Sequence, residues 1–119
     1  MARILIADDS IIVREYLKVT LERAGHQIVA EATRGTEAFQ KYIAYKPDLV
    51  TMDINMPEMN GIETVKMIIN RFPDAKIIMV SSHGLKPLVF EAVSAGATHY
   101  IIKPINEEKL LVTIENALI

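Results

Sequence analysis

The sequence predicts an α/β fold, a doubly wound (βα)5 arrangement in which five short parallel strands alternate with five helices that cover both sheet faces. Three observations predict it. Short β-rich apolar runs alternate with longer segments whose apolar residues recur every three or four positions, and this alternation happens five times from end to end. Three of the short runs are almost continuously apolar, as strands covered on both faces must be. Half of the 119 residues are hydrophobic and 24% are charged, a balance that buries enough apolar surface to offset chain entropy. The length is below the roughly 150 residues of an average domain, so residues 1–119 read as a single unit with no linker.

The strands are expected at Arg3–Ala7, Gln27–Ala32, Asp48–Met52, Lys76–Ser81 and His99–Ile102. Between them lie helical stripes, most clearly Val65, Ile68, Ile69 and Phe72, and then Leu110 or Leu111 with Ile114 and Leu118. Gly25 and Gly96 stand where a left-handed C-terminal cap would end the first and fourth helices. Lys86 and Pro87 read as an ordinary Pro-started opening of the fourth helix. Asn106 reads as the N-cap of the fifth, with Glu107 and Glu108 near its positive end.

Composition narrows the function. Thirteen Lys and Arg against fifteen Asp and Glu give a net charge of −2, and no basic block occurs, so nucleic acid is not expected as a direct partner. The chain has no Cys, which removes disulfides, thiolate zinc sites and thiol nucleophiles and fits a cytoplasmic setting. Apolar runs such as Ile4-Leu5-Ile6-Ala7 are far shorter than the ~20 residues of a spanning helix, so no membrane partner is expected either.

In an open parallel sheet the ligand site lies off the carboxyl ends of the strands. Those ends carry Asp8-Asp9 after the first strand, Asp53 after the third, Ser81-Ser82 at the fourth and Lys103-Pro104 after the fifth. Clustered carboxylates repel one another and raise each other's pKa, so the group makes physical sense chiefly around a hard divalent cation, with Mg²⁺ the natural guest. Lys103 and Ser81 then supply an ammonium and a hydroxyl for the oxygens of a phosphoryl group. A serine nucleophile would need a general base that is not evident, whereas a carboxylate can attack phosphorus directly, so Asp53 is the expected nucleophile. Taken singly, Asp8 or Asp9 reads more simply as a cap or turn former. Capping does not account for acids, a hydroxyl and a Lys-Pro pair falling together at consecutive strand ends.

The segments Ile4-Leu5-Ile6-Ala7-Asp8-Asp9-Ser10, Pro47 through Asp53 to Gly61, Met79-Val80-Ser81-Ser82, Ala95-Gly96-Ala97 and Tyr100-Ile101-Ile102-Lys103-Pro104 carry a resemblance that spans the chain. The sequence resembles a receiver domain of a bacterial two-component response regulator, of the stand-alone chemotaxis type. The resemblance implies a flavodoxin-like sheet in the order 2-1-3-4-5. It implies that Asp53 accepts a phosphoryl group from a sensor histidine kinase, with Asp9, Asp53 and the backbone carbonyl of Asn55 binding Mg²⁺ and Asp8 reaching it through water. Ser81 stands where the family has Thr or Ser, Tyr100 where it has a switch aromatic, and Lys103 where a phosphate-contacting lysine precedes a cis proline. Ser in place of the commoner Thr keeps the hydroxyl and loses a methyl that restricts its rotamer. A downstream protein partner is expected at the face formed by the fourth helix, fifth strand and fifth helix.

Two other readings compete. An aspartyl-phosphate phosphatase of the haloacid-dehalogenase type shares the Asp nucleophile, Mg²⁺ and lysine, but its second Asp, two residues beyond the nucleophile, is Asn55 here. A flavin binder would want a hydroxyl- and glycine-rich loop where Asp8-Asp9 stand. The leading expectation is therefore a phosphorylation-controlled phosphoacceptor switch, with self-directed phosphotransfer and autodephosphorylation only, rather than a metabolic enzyme. His26 and His99 are expected to pack or face solvent, and Met52 and Met79 to fill the core. His83, two residues after Ser81, is open to a role in hydrolysis of the acyl phosphate.

Overall fold

The computed structural model describes residues 1–119. The elements follow in strict alternation: β1 (Arg3–Ala7), α1 (Ile11–Arg23), β2 (Gln27–Ala32), α2 (Gly35–Tyr45), β3 (Leu49–Met52), α3 (Gly61–Arg71), β4 (Ile77–Ser81), α4 (Lys86–Ala95), β5 (His99–Ile102) and α5 (Glu107–Leu118). The strands form one parallel sheet in the order β2-β1-β3-β4-β5. Strands β3 and β4 start one residue later than the sequence pattern placed them. Lys76 still joins the ladder through its carbonyl, which accepts from the Val50 N–H at 2.9 Å, and Asp48 uses its carboxylate to take the Arg3 N–H at 2.8 Å.

Alternation along each strand sorts side chains into two cores, because successive Cβ atoms leave opposite faces of a sheet. Leu5, Val50, Met52, Ile77 and Met79 point to the side covered by α2, α3 and α4, where they meet Val65 and Ile68. Ile4, Ile6, Leu49, Ile78 and Val80 point to the side covered by α1 and α5, against Leu17, Leu21, Leu110 and Ile114. Each such fully buried aliphatic side chain contributes about 1.5–3 kcal/mol relative to exposure, so both faces hold the central strands rigidly.

The helix ends follow the local chemistry. Ser10 caps α1 by accepting from the Val13 N–H. Asn60 and Glu63 form a reciprocal capping box on α3. Asn106 accepts from the Lys109 N–H at the start of α5. Gly25 and Gly96 take φ of +95° and +120° just past α1 and α4, in the region that favours glycine. At the sheet edge, β2 is shifted by one residue against β1 between Ile4 and Leu5, and the Lys41 ammonium covers the Glu31 carbonyl. An ammonium on an edge carbonyl blocks addition of a further strand. No helix is long and apolar enough to cross a membrane.

Candidate functional site

The β-ladder continues one residue past three strands, and that continuation positions the site. The N–H of Asp8 donates to Ala32 O at 2.9 Å, that of Asp53 to Ala7 O at 2.9 Å, and that of Lys103 to Ser81 O at 2.8 Å. Each chemically loaded side chain is thus fixed by sheet register rather than by a free loop. The carboxylates of Asp8, Asp9 and Asp53 offer ligand atoms that all lie within 4.8 Å of one another.

Asp8 is held at every polar atom. Besides its ladder N–H, its carbonyl accepts from Arg14 Nη1 at 2.9 Å. Its Oδ1 accepts from the Ser10 N–H at 2.9 Å, and its Oδ2 accepts from Lys103 Nζ at 2.9 Å. The turn-forming role expected of an isolated Asp and the cluster role are therefore filled by the same residue. Lys103 also stands 3.7 Å from Asp53 Oδ2, so the acidic group already carries one resident cation of its own. Asp9 differs from its neighbours: its side chain is exposed and has no hydrogen-bond or ion-pair partner.

Asp53 is 4% exposed. Burial pushes its carboxyl above the ordinary Asp value, and the Asp8 charge pushes it the same way, while Lys103 and the Asn55 N–H draw it back. Three oxygen donors of one charge type, two of them buried and partly desolvated, suit a hard divalent cation such as Mg²⁺ and no soft metal. The peptide behind Asp53 is equally constrained. A Cβ on Gly61 would lie 2.0 Å from the Asp53 carbonyl oxygen, so only glycine lets α3 begin this close to the end of β3. The intervening loop carries Glu58 and Met59 at φ of +52° and +98°, propped by Gly35, whose N–H donates to Pro57 O at 3.3 Å.

Ser81, Tyr100, Asn55 and His83 form a second group beside the first. Ser81 is fully buried, and its Oγ accepts from the His83 N–H at 3.3 Å. The Tyr100 hydroxyl donates to the His83 carbonyl. Burial raises the Tyr100 phenol above its ordinary value, and the adjacent Ser81 hydroxyl offsets part of the rise. The Asn55 side chain lies 2.7 Å, Nδ2 to Nε2, from the His83 imidazole. The structure therefore brings Asp8, Asp9, Asp53 and Lys103 into one cluster and ties the Tyr100 hydroxyl to the turn that follows Ser81. The Lys103–Pro104 peptide is cis, as the resemblance implied.

Met52 and Met79 are fully buried. His26 is buried, its Nδ1 accepting from the Ala2 N–H at 3.0 Å, and His99 is half-buried on β5. The contacts that sequence reading missed are Arg14 on Asp8, the His83–Asn55 pair and the tight seat of Gly61. A charged residue in a helix reads as solvated, and only the folded contact distinguishes Arg14 from its neighbours.

Comparison with known proteins agrees with this geometry. Residues 4–115 match the model of the response regulator receiver domain. The chain is 47% identical over 109 residues to the chemotaxis protein CheY of Thermotoga maritima, covering 92% of this chain and 91% of that protein. It is 44% identical over 116 residues to CheY of Bacillus subtilis, covering 98% and 97%. It superposes with a TM-score of 0.95 and 33% identity on a chain of the CheX-CheY-BeF3-Mg²⁺ complex from Borrelia burgdorferi, covering 98% of this chain and 89% of that one. With the sheet order, the acid cluster at its carboxyl edge and the full-length match all in agreement, the chain belongs to the response regulator receiver domain family and is CheY-like.

Proposed function

We propose that the protein is a phosphorylation-controlled signalling switch that takes a phosphoryl group from a sensor histidine kinase onto Asp53. In the step, a carboxylate oxygen of Asp53 forms a bond to phosphorus as the phosphorus–nitrogen bond of the donor phosphohistidine breaks, and the imidazole leaves with the bonding pair and takes up a proton. The observation that carries this reading is the buried Asp53 carboxylate at the end of the central strand, within 4.8 Å of Asp8 and Asp9 and 3.7 Å from the Lys103 ammonium.

Asp9, Asp53 and the Asn55 carbonyl would hold Mg²⁺, with Asp8, whose carboxylate accepts from the Ser10 N–H and Lys103, acting through water as in the family it resembles. When bound, the cation neutralises charge on the transferring phosphoryl oxygens. Lys103 supplies a charge-assisted donor to the same oxygens, and the Ser81 hydroxyl supplies another once its turn moves inward. The residual chemistry is loss of the phosphoryl group to water, a self-directed reaction rather than turnover of a metabolite.

Tyr100 is the expected relay to a protein partner, because its hydroxyl is tied to the turn that Ser81 begins. The receiving face is α4, β5 and α5, where Phe90 is 75% exposed and Leu85, Val93, Ile102 and Val112 are each at least 49% exposed. These exposed apolar side chains are of the type a protein partner would bury. The cytoplasmic setting expected from the sequence goes with this reading.

The test is a two-dimensional amide spectrum of the wild-type chain with Mg²⁺, before and after beryllofluoride is added as a phosphoryl mimic. The reading predicts shifts at residues 8, 9 and 53 that extend to Tyr100 and the α4–β5–α5 face. Shifts confined to the acid cluster would contradict the switch, and no shift at all would contradict the acceptor site.

A further inference from the structure

We infer that Arg14 is a positioning residue for the divalent-cation site, acting through the peptide that joins Asp8 to Asp9. The inference rests on the reading that the acid cluster holds Mg²⁺. It starts from an asymmetry within that cluster: Asp8 and Asp53 are buried, and Lys103 lies beside both, whereas the exposed Asp9 carboxylate has no side-chain partner. With no partner on the carboxylate, the backbone sets the Cα–Cβ direction from which Asp9 reaches into the cluster. The Asp8 carbonyl and the Asp9 N–H belong to one planar peptide, so whatever fixes the carbonyl fixes the start of Asp9.

Arg14 does that. Its Nη1 donates to the Asp8 carbonyl at 2.9 Å, while its Nε donates to Glu31 Oε1 at 3.1 Å. A guanidinium presents donors in a rigid fork, so one side chain holds the loop after β1 and a carboxylate on β2 at a fixed separation. The reach is natural for a helix residue, since side chains on α1 lean back toward its N-terminus. The Arg14 side chain is only 14% exposed, which makes both contacts more persistent than those of a solvated surface pair.

Charge and positioning predict opposite effects, and this separates them. As a nearby positive charge, Arg14 repels a cation, so its removal would tighten Mg²⁺ binding. As the residue that orients Asp9, its removal loosens the ligand, and outer-shell partners of metal ligands typically contribute about 10-fold or more in affinity. The positioning effect is the larger of the two because Glu31 already offsets the charge.

The experiment is a Mg²⁺ titration of wild type, Arg14→Ala and Arg14→Lys, followed by the amide shifts of residues 8–10, with circular dichroism as the control for folding. Arg14→Ala should bind Mg²⁺ about 10-fold more weakly despite losing a positive charge. Arg14→Lys should also bind more weakly, because an ammonium keeps the charge but cannot span both partners; it carries the test alone if Arg14→Ala does not fold. Binding by either folded variant as tight as wild type, or tighter, overturns the inference. Absence of Mg²⁺ binding by the wild type overturns instead the reading on which the inference rests.

Discussion

The Lys103 ammonium and the Asp8 carboxylate meet at 2.9 Å across the carboxyl edge of the sheet, joining residues 95 positions apart in the chain. The pair is mostly buried, with side-chain exposures of 19% and 2%. It explains how clustered acids are tolerated in the folded chain. Breaking such a pair by removing one member leaves an uncompensated buried charge, which costs more than the intact pair contributes.

Lys103→Met should therefore destabilise the protein at neutral pH by about 1–3 kcal/mol, below the full cost of a fully buried pair because Lys103 reaches solvent. The loss should shrink on acidification, as the carboxylates take up protons, and added Mg²⁺ should raise the melting temperature of the variant more than that of wild type. Thermal melts at two pH values with and without Mg²⁺ check this. A variant as stable as wild type in chelator would contradict the role given to the pair.

Asp53 sets a pH dependence of opposite sign to that of an ion-paired Asp whose pKa is lowered. Its folded-state pKa is raised, so the native state holds the proton more tightly than the unfolded chain, and its contribution to stability is lost as pH rises from the ordinary value of 3.8 through the raised one. Without divalent cation, Asp53→Asn should therefore melt above wild type at neutral pH, and the difference should narrow as the pH falls toward 3.8. Melting curves in chelator across that window check the sign. A variant that melts below wild type at neutral pH would contradict it.

Ser81→Ala should still accept a phosphoryl group, since the nucleophile and the acid cluster are untouched, but should transmit it poorly. The change removes the Oγ that takes the His83 N–H, and with it the tie between the acceptor edge and the turn that holds the Tyr100 hydroxyl. A ligand shifts a two-state element only through its differential contacts with the states. Amide shifts with beryllofluoride at residues 85–118 should be clearly smaller in Ser81→Ala than in wild type. Equal responses would contradict the hydroxyl coupling.

Much of this was legible in the sequence because the fold is built from local periodicity. The Val65, Ile68 and Phe72 stripe and the apolar run at Ile77–Val80 declare a helix and a covered strand on their own, and the parallel order then brings Asp8, Asp53 and Lys103 to one edge. Less legible were contacts that depend on the final approach of distant segments. Nothing local marks Arg14 as a ligand of the Asp8 carbonyl, or His83 as the neighbour of Asn55. Nor does anything local mark Gly61 as the seat of a close approach, which shows only where the Asp53 carbonyl stands against its Cβ position. The ion pair between Lys103 and Asp8 was hidden for a related reason: strand ends locate both residues, but only side-chain geometry reveals that the ammonium faces Asp8 more closely than Asp53.

The central claim is that Asp53 is the phosphoryl acceptor. Its most direct test is intact-mass analysis of wild type and Asp53→Asn after incubation with acetyl phosphate, each with Mg²⁺ and with excess chelator. Asn is nearly isosteric but lacks the carboxylate nucleophile. The account predicts one added phosphoryl group on the wild type with Mg²⁺, none in chelator and none on Asp53→Asn; undiminished labelling of the variant would contradict it.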